Sequence, residues 1–523
     1  MNTIEPAKRP VGFPLLGWTA IAIALGFRAL HVFCTQRYNP IAADLQLDAA
    51  TYDRWARALA FGGDPGPTTL MQAPLYPWFL SIIYRVAGPS LAAVRLVQAL
   101  LGTATCALII YCTSRFFKSR FAAIVAGTIA ALYAPLIFYE GILVPATLIV
   151  FLNVLFLAVI AGATGPRGTF RLIAAGIILG LSIVANPMSI IILPFVLLHL
   201  AFGPRQPDQP AVNDLVREHP RRRSRLITRS LALAAGLLVA LAPGAIRNAL
   251  RTGEFIPLTT GGGINFYIGN NPDATGFYAV PSFRGTPLGA APEEQWRNMQ
   301  ELASRASGKP LSQSETSKFW FGAGLDFIRD EPRRWGALLW DKLCFFWNDY
   351  ERANVENFYF HRRFPGVLQL PLLTFGLIAP LGLLGVFLTR NRRRSLWLLY
   401  GGILTYFIAA LMFYVLARYR LPIVPFLAPF AGAAVAELIH LGRNRRIAEL
   451  VLSLAALAVL LFFSNARVAR DTPFGISTSF TRLGNAYVAR GDTSRAVDAY
   501  REALKNNPRN AAAKDALSKL GPR

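Results

Sequence analysis

Three aspartates, Asp44, Asp48 and Asp53, share one short stretch of this chain, AADLQLDAATYDRWARALAF. From Asp48 to Phe61 the pattern is helical. At 3.6 residues per turn Asp48, Tyr52 and Trp55 share a face and Asp53 points elsewhere. A carboxylate held there could act as a general base that takes a proton from a hydroxyl. Asp44 and Asp53 read as solvated loop acids. Glu140, in IFYEGILVPATLIV, lies between two apolar runs. An ionisable group in such a place is expensive unless paired or functional. It is equally an acid favoured by the peptide dipoles at the start of the next helix. If Asp48 and Glu140 converge, they could hold a divalent cation or divide base and positioning roles.

Arginines supply the opposite charge. Arg247 and Arg251 stand in APGAIRNALRTG, and Arg418 and Arg420 in LARYRLPIVP. A guanidinium fork suits phosphate oxygens, whereas snorkelling at the interface is the alternative, above all for Arg251. The glycines at 261–263, followed by IGNNP, could offer backbone N–H groups to an anion or simply form a tight loop. No HExxH, GxSxG, P-loop or dinucleotide fingerprint is present. The five histidines are scattered and the four cysteines show no metal-ligand spacing. Cys106 and Cys112 read as packing residues, and a Cys34–Cys344 disulfide stays open.

The elements that must carry these groups are apolar. The 523 residues are 54% hydrophobic and 16% charged, against roughly 25% charged in soluble domains. About eleven stretches are long enough to cross a bilayer: 12–34, 93–113, 121–138, 141–163, 171–186, 188–203, 230–247, 367–389, 395–416, 421–441 and 447–465. Asn186-Pro187 marks a break, because the residue before proline disfavours helix. The net charge of +25 gathers in short basic segments between these runs, which argues for the positive-inside rule and against nucleic acid. On that rule the N-terminal residues 1–11 are cytoplasmic, the first run is an uncleaved anchor, and the loops 35–92 and 248–366 and the tail 466–523 lie outside, periplasmic in a bacterial inner membrane. The expected fold is an all-α polytopic bundle, spanning 12–465, with a mixed outer loop domain. Within 248–366 the first part reads as turns and short strands, and two later segments as helices, the last amphipathic enough to lie along the membrane. The tail carries Leu483, Gly484, Tyr487, Gly491, Ala496, Tyr500, Ala503 and Pro508 at the spacing of one tetratricopeptide repeat, about 478–511. One repeat cannot bury its own face, so it must dock on a protein partner, on a second copy, or on the outer loops.

In order along the chain, LDAATYDRWARAL, QAPLYPWFLSIIYRVAG, RLVQALLG, GLSIVANPMSIIILP, APGAIRN, GEFIPLTTGGGINFYIGNNP and RYRLPIVP resemble the GT-C membrane glycosyltransferases, in particular the family 39, dolichyl-phosphate-mannose-protein mannosyltransferase-like group. The resemblance covers most of 12–440. It implies inverting transfer of a sugar from a polyprenyl-phosphate donor, on the outer face, to a glycan, lipid or protein acceptor. It places Asp48 at the catalytic aspartate of the first loop and Glu140 at a less regular second acidic position. It makes Arg418 and Arg420 the expected contacts to the donor phosphate; Tyr52, Gln72, Tyr76, Arg247 and Asn265 are the further residues expected to bind substrate. Two departures stand out: Gln72-Ala73-Pro74 where many relatives carry Lys or His before the prolines, and Asp48-Ala49 where many carry Asp-Glu. The competing readings are an envelope glycan polymerase or ligase, which relies on arginines and histidine rather than an early aspartate, and a non-catalytic assembly protein working through its repeat. A transporter would show broken helices in both halves.

Overall fold

Long apolar runs joined by short turns leave the backbone one way to satisfy its hydrogen bonds away from water, which is helix. The computed structural model describes residues 15–66, 70–163, 168–202, 218–289, 292–466 and 473–520. Segment 1–11 and the start of the tail at 467–472 lie outside the described residues. The bundle begins with α1 (Leu15–Tyr38), followed by α2 (Leu47–Phe61), α3 (Leu75–Ala87), α4 (Leu91–Phe117), α5 (Arg120–Leu132), α6 (Ala134–Glu140), α7 (Ala146–Ala161) and α8 (Gly168–Ala185). A 3-10 turn at 187–192 then leads into α9 (Leu193–Phe202) and α10 (Glu218–Thr252). After the loop domain come α16 (Phe375–Leu388), α17 (Trp397–Met412), α18 (Ala417–Arg420), α19 (Val424–Arg443) and α20 (Ile447–Asn465).

Among the described residues six helices are long and apolar enough to cross a membrane, and five shorter apolar helices accompany them. They fall where the spans were expected, so this is a multi-pass, all-α membrane protein. The break at Asn186 is also as expected: the residue is extended and its side chain accepts from the Met188 N–H at 3.2 Å.

Close approach, not side-chain bulk, joins the helices. A Cβ on Gly176 of α8 would meet the Leu233 carbonyl of α10 at 2.1 Å, and one on Gly236 of α10 would meet the Ile173 carbonyl of α8 at 2.0 Å. In lipid, where apolar surface gains nothing by association, such small-residue seams hold helices through backbone-to-backbone packing. Two buried ion pairs add polar clasps. Arg28 of α1 reaches Glu140 at the end of α6, 2.9 Å between Nε and Oε2, with the α4 backbone at Gly102 too close to the carboxylate for any side chain. Arg420 of α18 pairs with Glu351 at 2.8 Å.

The loop domain contains α11 (Gly262–Gly269), a two-strand hairpin of β1 (Ser282–Phe283) and β2 (Thr286–Pro287), α12 (Pro292–Ser307), α13 (Gln313–Asp330), α14 (Pro332–Trp347) and α15 (Phe358–His361). The start of this region departs from expectation. GGINFYIG is a helix rather than turns and strands, because its glycines serve proximity: a Cβ on Gly263 would meet the Ser317 carbonyl of α13 at 1.8 Å, and one on Gly269 the Phe413 carbonyl at 1.9 Å. The four cysteines are free.

The tail forms α21 (Pro473–Val488), α22 (Thr493–Asn506) and α23 (Ala511–Lys519). α21 and α22 form a helix pair in which the Tyr500 ring lies over Gly484. Of the docking modes left open by the sequence, the structure has the tail on the loops. Phe480 meets Phe360 edge-on at 5.1 Å beside buried Ile41.

Candidate functional site

Asp48 enters the site from the first turn of α2, where peptide dipoles favour a carboxylate. Leu47 before it has φ +49°, a left-handed conformation that costs a non-glycine residue about 1 kcal/mol or more and turns the chain sharply into the helix. On the α2 face that the spacing predicts, Asp48 and Tyr52 line one cavity of about 250 Å³. Behind them Trp55 is buried, with the Arg247 guanidinium 5.1 Å from its ring.

The opposite wall is Arg418 of α18, which holds Asp48 at 2.7 Å. Arg418 is nine-tenths buried and Asp48 keeps a fifth of its side chain exposed, so the pair faces the cavity through the carboxylate. Gln72 donates to the other oxygen of Asp48 at 3.2 Å. The Gln72 carbonyl oxygen and the Arg418 Nε are buried with no hydrogen-bond partner among the described residues, a cost that a bound polar group would remove. These two atoms flank the ion pair.

Phenols and amides complete the polar lining. Asn265 of α11 accepts from Tyr414 at 2.7 Å, and Gln295 of α12 donates to Tyr278 at 3.2 Å. Burial raises the Tyr52 phenol far above its ordinary range, and the neighbouring Asp48 carboxylate raises it further, so it stays protonated as a donor. Burial likewise raises the Tyr278 phenol. One side of the cavity runs into the bundle, where Ile149, Ala185, Ala409 and Phe413 are apolar. There the Tyr406 hydroxyl is fixed by Asn153 at 2.7 Å and Ser189 at 3.0 Å.

The structure therefore brings together Asp48, Tyr52, Gln72, Asn265 and Arg418 of the residues expected at the site, and leaves four elsewhere. Glu140 does not join Asp48, because its carboxylate is taken up by Arg28 inside the bundle. Tyr76 stands behind the wall, bonded to Gln98 at 2.7 Å and edge-on to Tyr52. Arg247 packs on Trp55 behind α2. Arg420 is 2% exposed and engages Glu351 together with the carbonyls of Phe346, Asn348 and Tyr350. A cation held between Asp48 and Glu140 does not fit this geometry, and no cluster of three His, Cys, Asp or Glu that could hold a metal occurs among the described residues. Asp44 and Asp53 are not the solvated acids expected either. Asp44 pairs with Arg482 at 2.8 Å, and Asp53 accepts from Tyr84 at 2.6 Å and Arg57 at 2.7 Å. Asn354, Gln295, Tyr278 and Tyr414 also line the cavity and were missed, because none of them stands in a motif, although the Asn186-Pro187 break that borders the cavity was visible.

Residues 71–209 match the model of the family described as dolichyl-phosphate-mannose-protein mannosyltransferase. The resemblance read from the sequence is borne out over that stretch, which includes Gln72 and the Asn186-Pro187 break. No protein of curated function matches the chain. The chain is similar to the solved structure of the Archaeoglobus fulgidus oligosaccharyltransferase in its apo form, with 14% identity and a TM-score of 0.48, covering 97% of this chain and 60% of that one. The same enzyme tethered with an acceptor peptide gives 15% and 0.47, covering 93% and 58%. ArnT from Cupriavidus metallidurans in the apo state gives 15% and 0.43, covering 96% and 74%. This chain thus spans about three fifths of the length of the oligosaccharyltransferase structures.

Proposed function

We propose that the chain is a membrane glycosyltransferase that moves a sugar from a polyprenyl-phosphate donor to a hydroxyl-bearing acceptor in the cell envelope, with Asp48 as the general base. The observation that carries this reading is the Asp48–Arg418 pair in the lining of a cavity that also has an apolar wall of Ile149, Ala185, Ala409 and Phe413. The family match over 71–209 supports a dolichyl-phosphate-type donor.

The acceptor hydroxyl attacks the anomeric carbon as the bond from that carbon to the phosphate oxygen breaks. The electron pair leaves with the phosphate, and the hydroxyl proton passes to Asp48. A single displacement of this kind inverts the anomeric centre. The pair makes the charges move together: when Asp48 takes the proton it no longer neutralises Arg418, so a full positive charge appears beside the phosphate as its negative charge grows. Preorganised charge of this sort stabilises a transition state without reorganisation. The phenols and side-chain amides of the lining offer donors and acceptors to a hydroxyl-rich ligand. In this reading the loop domain and the tail face the outside of a bacterial inner membrane and the N-terminus the cytoplasm.

The test is sugar transfer by the purified protein in lipid nanodiscs, with polyprenyl-phosphate sugars as donors and envelope lipid, glycan or peptide acceptors. Transfer that disappears in Asp48→Asn while the protein stays folded is the expected result. Full activity of that variant refutes the base assignment, and no transfer from any donor refutes the reading.

A further inference from the structure

Arg482 of α21 makes four hydrogen bonds to two loops that are distant in sequence. Its Nε and Nη2 donate to the Asp44 carboxylate and carbonyl, each at 2.8 Å. Its Nη1 and Nη2 donate to the Glu356 carboxylate at 3.1 Å and 2.9 Å. Its side chain is 13% exposed, and the Glu356 side chain 11%. This is a planar fork with both edges occupied, a geometry that lysine cannot reproduce.

Both loops run directly into the cavity. Asp44 lies four residues before Asp48, and its other oxygen accepts from Gln46, the residue that caps α2, at 2.6 Å. Glu356 lies two residues after Asn354, which lines the same cavity as Asp48 and Arg418. The turn at 39–46 is also held by buried Ile41 and by three further side-chain ties. Arg490 of the tail donates to the Pro40 carbonyl at 3.3 Å, and His361 meets Asn39 at 3.2 Å. Arg95 of α4 donates to the Ala42 carbonyl. One of these ties comes from the tail, and another from α15, which directly follows the loop that carries Glu356.

We propose that Arg482 is a positioning residue, holding the Asp48 wall and the Asn354 wall of the cavity in register, and that the tail is a structural part of the site. This rests on the glycosyltransferase reading only for its effect on turnover. Each acid touches one wall, so the coupling has a directional signature. Arg482→Ala loosens both walls, Asp44→Asn chiefly the first, and Glu356→Gln chiefly the second, with a smaller effect on the first through His361, which meets both Glu356 and Asn39.

The experiment is hydrogen–deuterium exchange on the full chain in nanodiscs, with sugar transfer measured on the same samples. Arg482→Ala is expected to speed amide exchange at least tenfold over both 41–49 and 352–358, and to lower kcat at least tenfold with little change in donor KM. Arg482→Lys, which keeps the charge and the fold, falls between. Arg501→Ala, on the exposed face of α22, changes neither readout. Arg482→Ala exchange that stays at the wild-type rate over either segment overturns the proposal, and so does equal loosening of both walls by Asp44→Asn. A wild-type protein that transfers no sugar refutes the proposed function, and the exchange pattern still decides the role of Arg482.

Discussion

Asp48 and Arg418 cancel each other across 2.7 Å, and that cancellation ties their functions together. Asp48→Asn keeps the shape and removes the base; transfer is expected to fall by about 10²–10⁴-fold, the usual contribution of general-base catalysis. Arg418→Gln is expected to lower kcat by about 10²–10³-fold, in line with removal of one transition-state donor. Arg418→Lys retains the charge but loses the fork and is expected to recover part of that loss. Initial rates against donor concentration separate these effects, since a purely ground-state contact would raise KM and leave kcat alone. Gln72→Leu removes the 3.2 Å bond to Asp48 and is expected to cost less than either.

Among the elements, the buried clasps set how much disruption the bundle tolerates. Breaking an ion pair by removing one partner strands the other in a dry interior and costs about 3–5 kcal/mol. Glu140→Ala, which strands Arg28, is therefore expected to lower thermal stability sharply, whereas the double change Arg28→Met with Glu140→Met recovers most of it; thermal unfolding in detergent checks both. Gly236→Leu forces α8 and α10 apart along their glycine seam and is expected to lower stability by about 1–3 kcal/mol or more. These two features explain what could be read from the sequence. The helices were legible because apolar run length reports directly on span. Asp48, Tyr52 and Trp55 were legible because helical spacing fixes their face. Glu140 and Arg420 look like Asp48 and Arg418 in sequence, charged residues beside apolar runs, and only a distant partner tells them apart. For Glu140 that partner is Arg28, 112 positions away, and a charged residue inside the first apolar run does signal that some partner must exist. The glycines of α11 misled because close approach between backbones leaves no mark different from that of a turn.

In the whole molecule, the tail meets the loops through an apolar contact, Phe480 on Phe360, and through the Arg482 ion pairs, and the charged part depends on pH. Burial raises the Glu356 carboxyl, but His361 and Arg482 outweigh it and hold the group below its ordinary value. A depressed folded-state value means that the contribution to docking is complete at pH above the ordinary carboxylate range and is lost as pH falls below it. Exchange in α21 is therefore expected to be slow at pH 7 and to rise on acidification through the carboxylate range, after correction for intrinsic exchange; Glu356→Gln flattens that dependence. The Arg482–Asp44 contact also has a consequence in time. The two residues are 438 positions apart, and at about 5–20 residues per second a ribosome needs roughly 20–90 s to get from one to the other. Throughout that interval the spans can insert while the turn that leads to Asp48 waits for its clamp. On the proposed role of Arg482, a chain interrupted before α21 would carry its spans without the clamp on the turn that leads to Asp48.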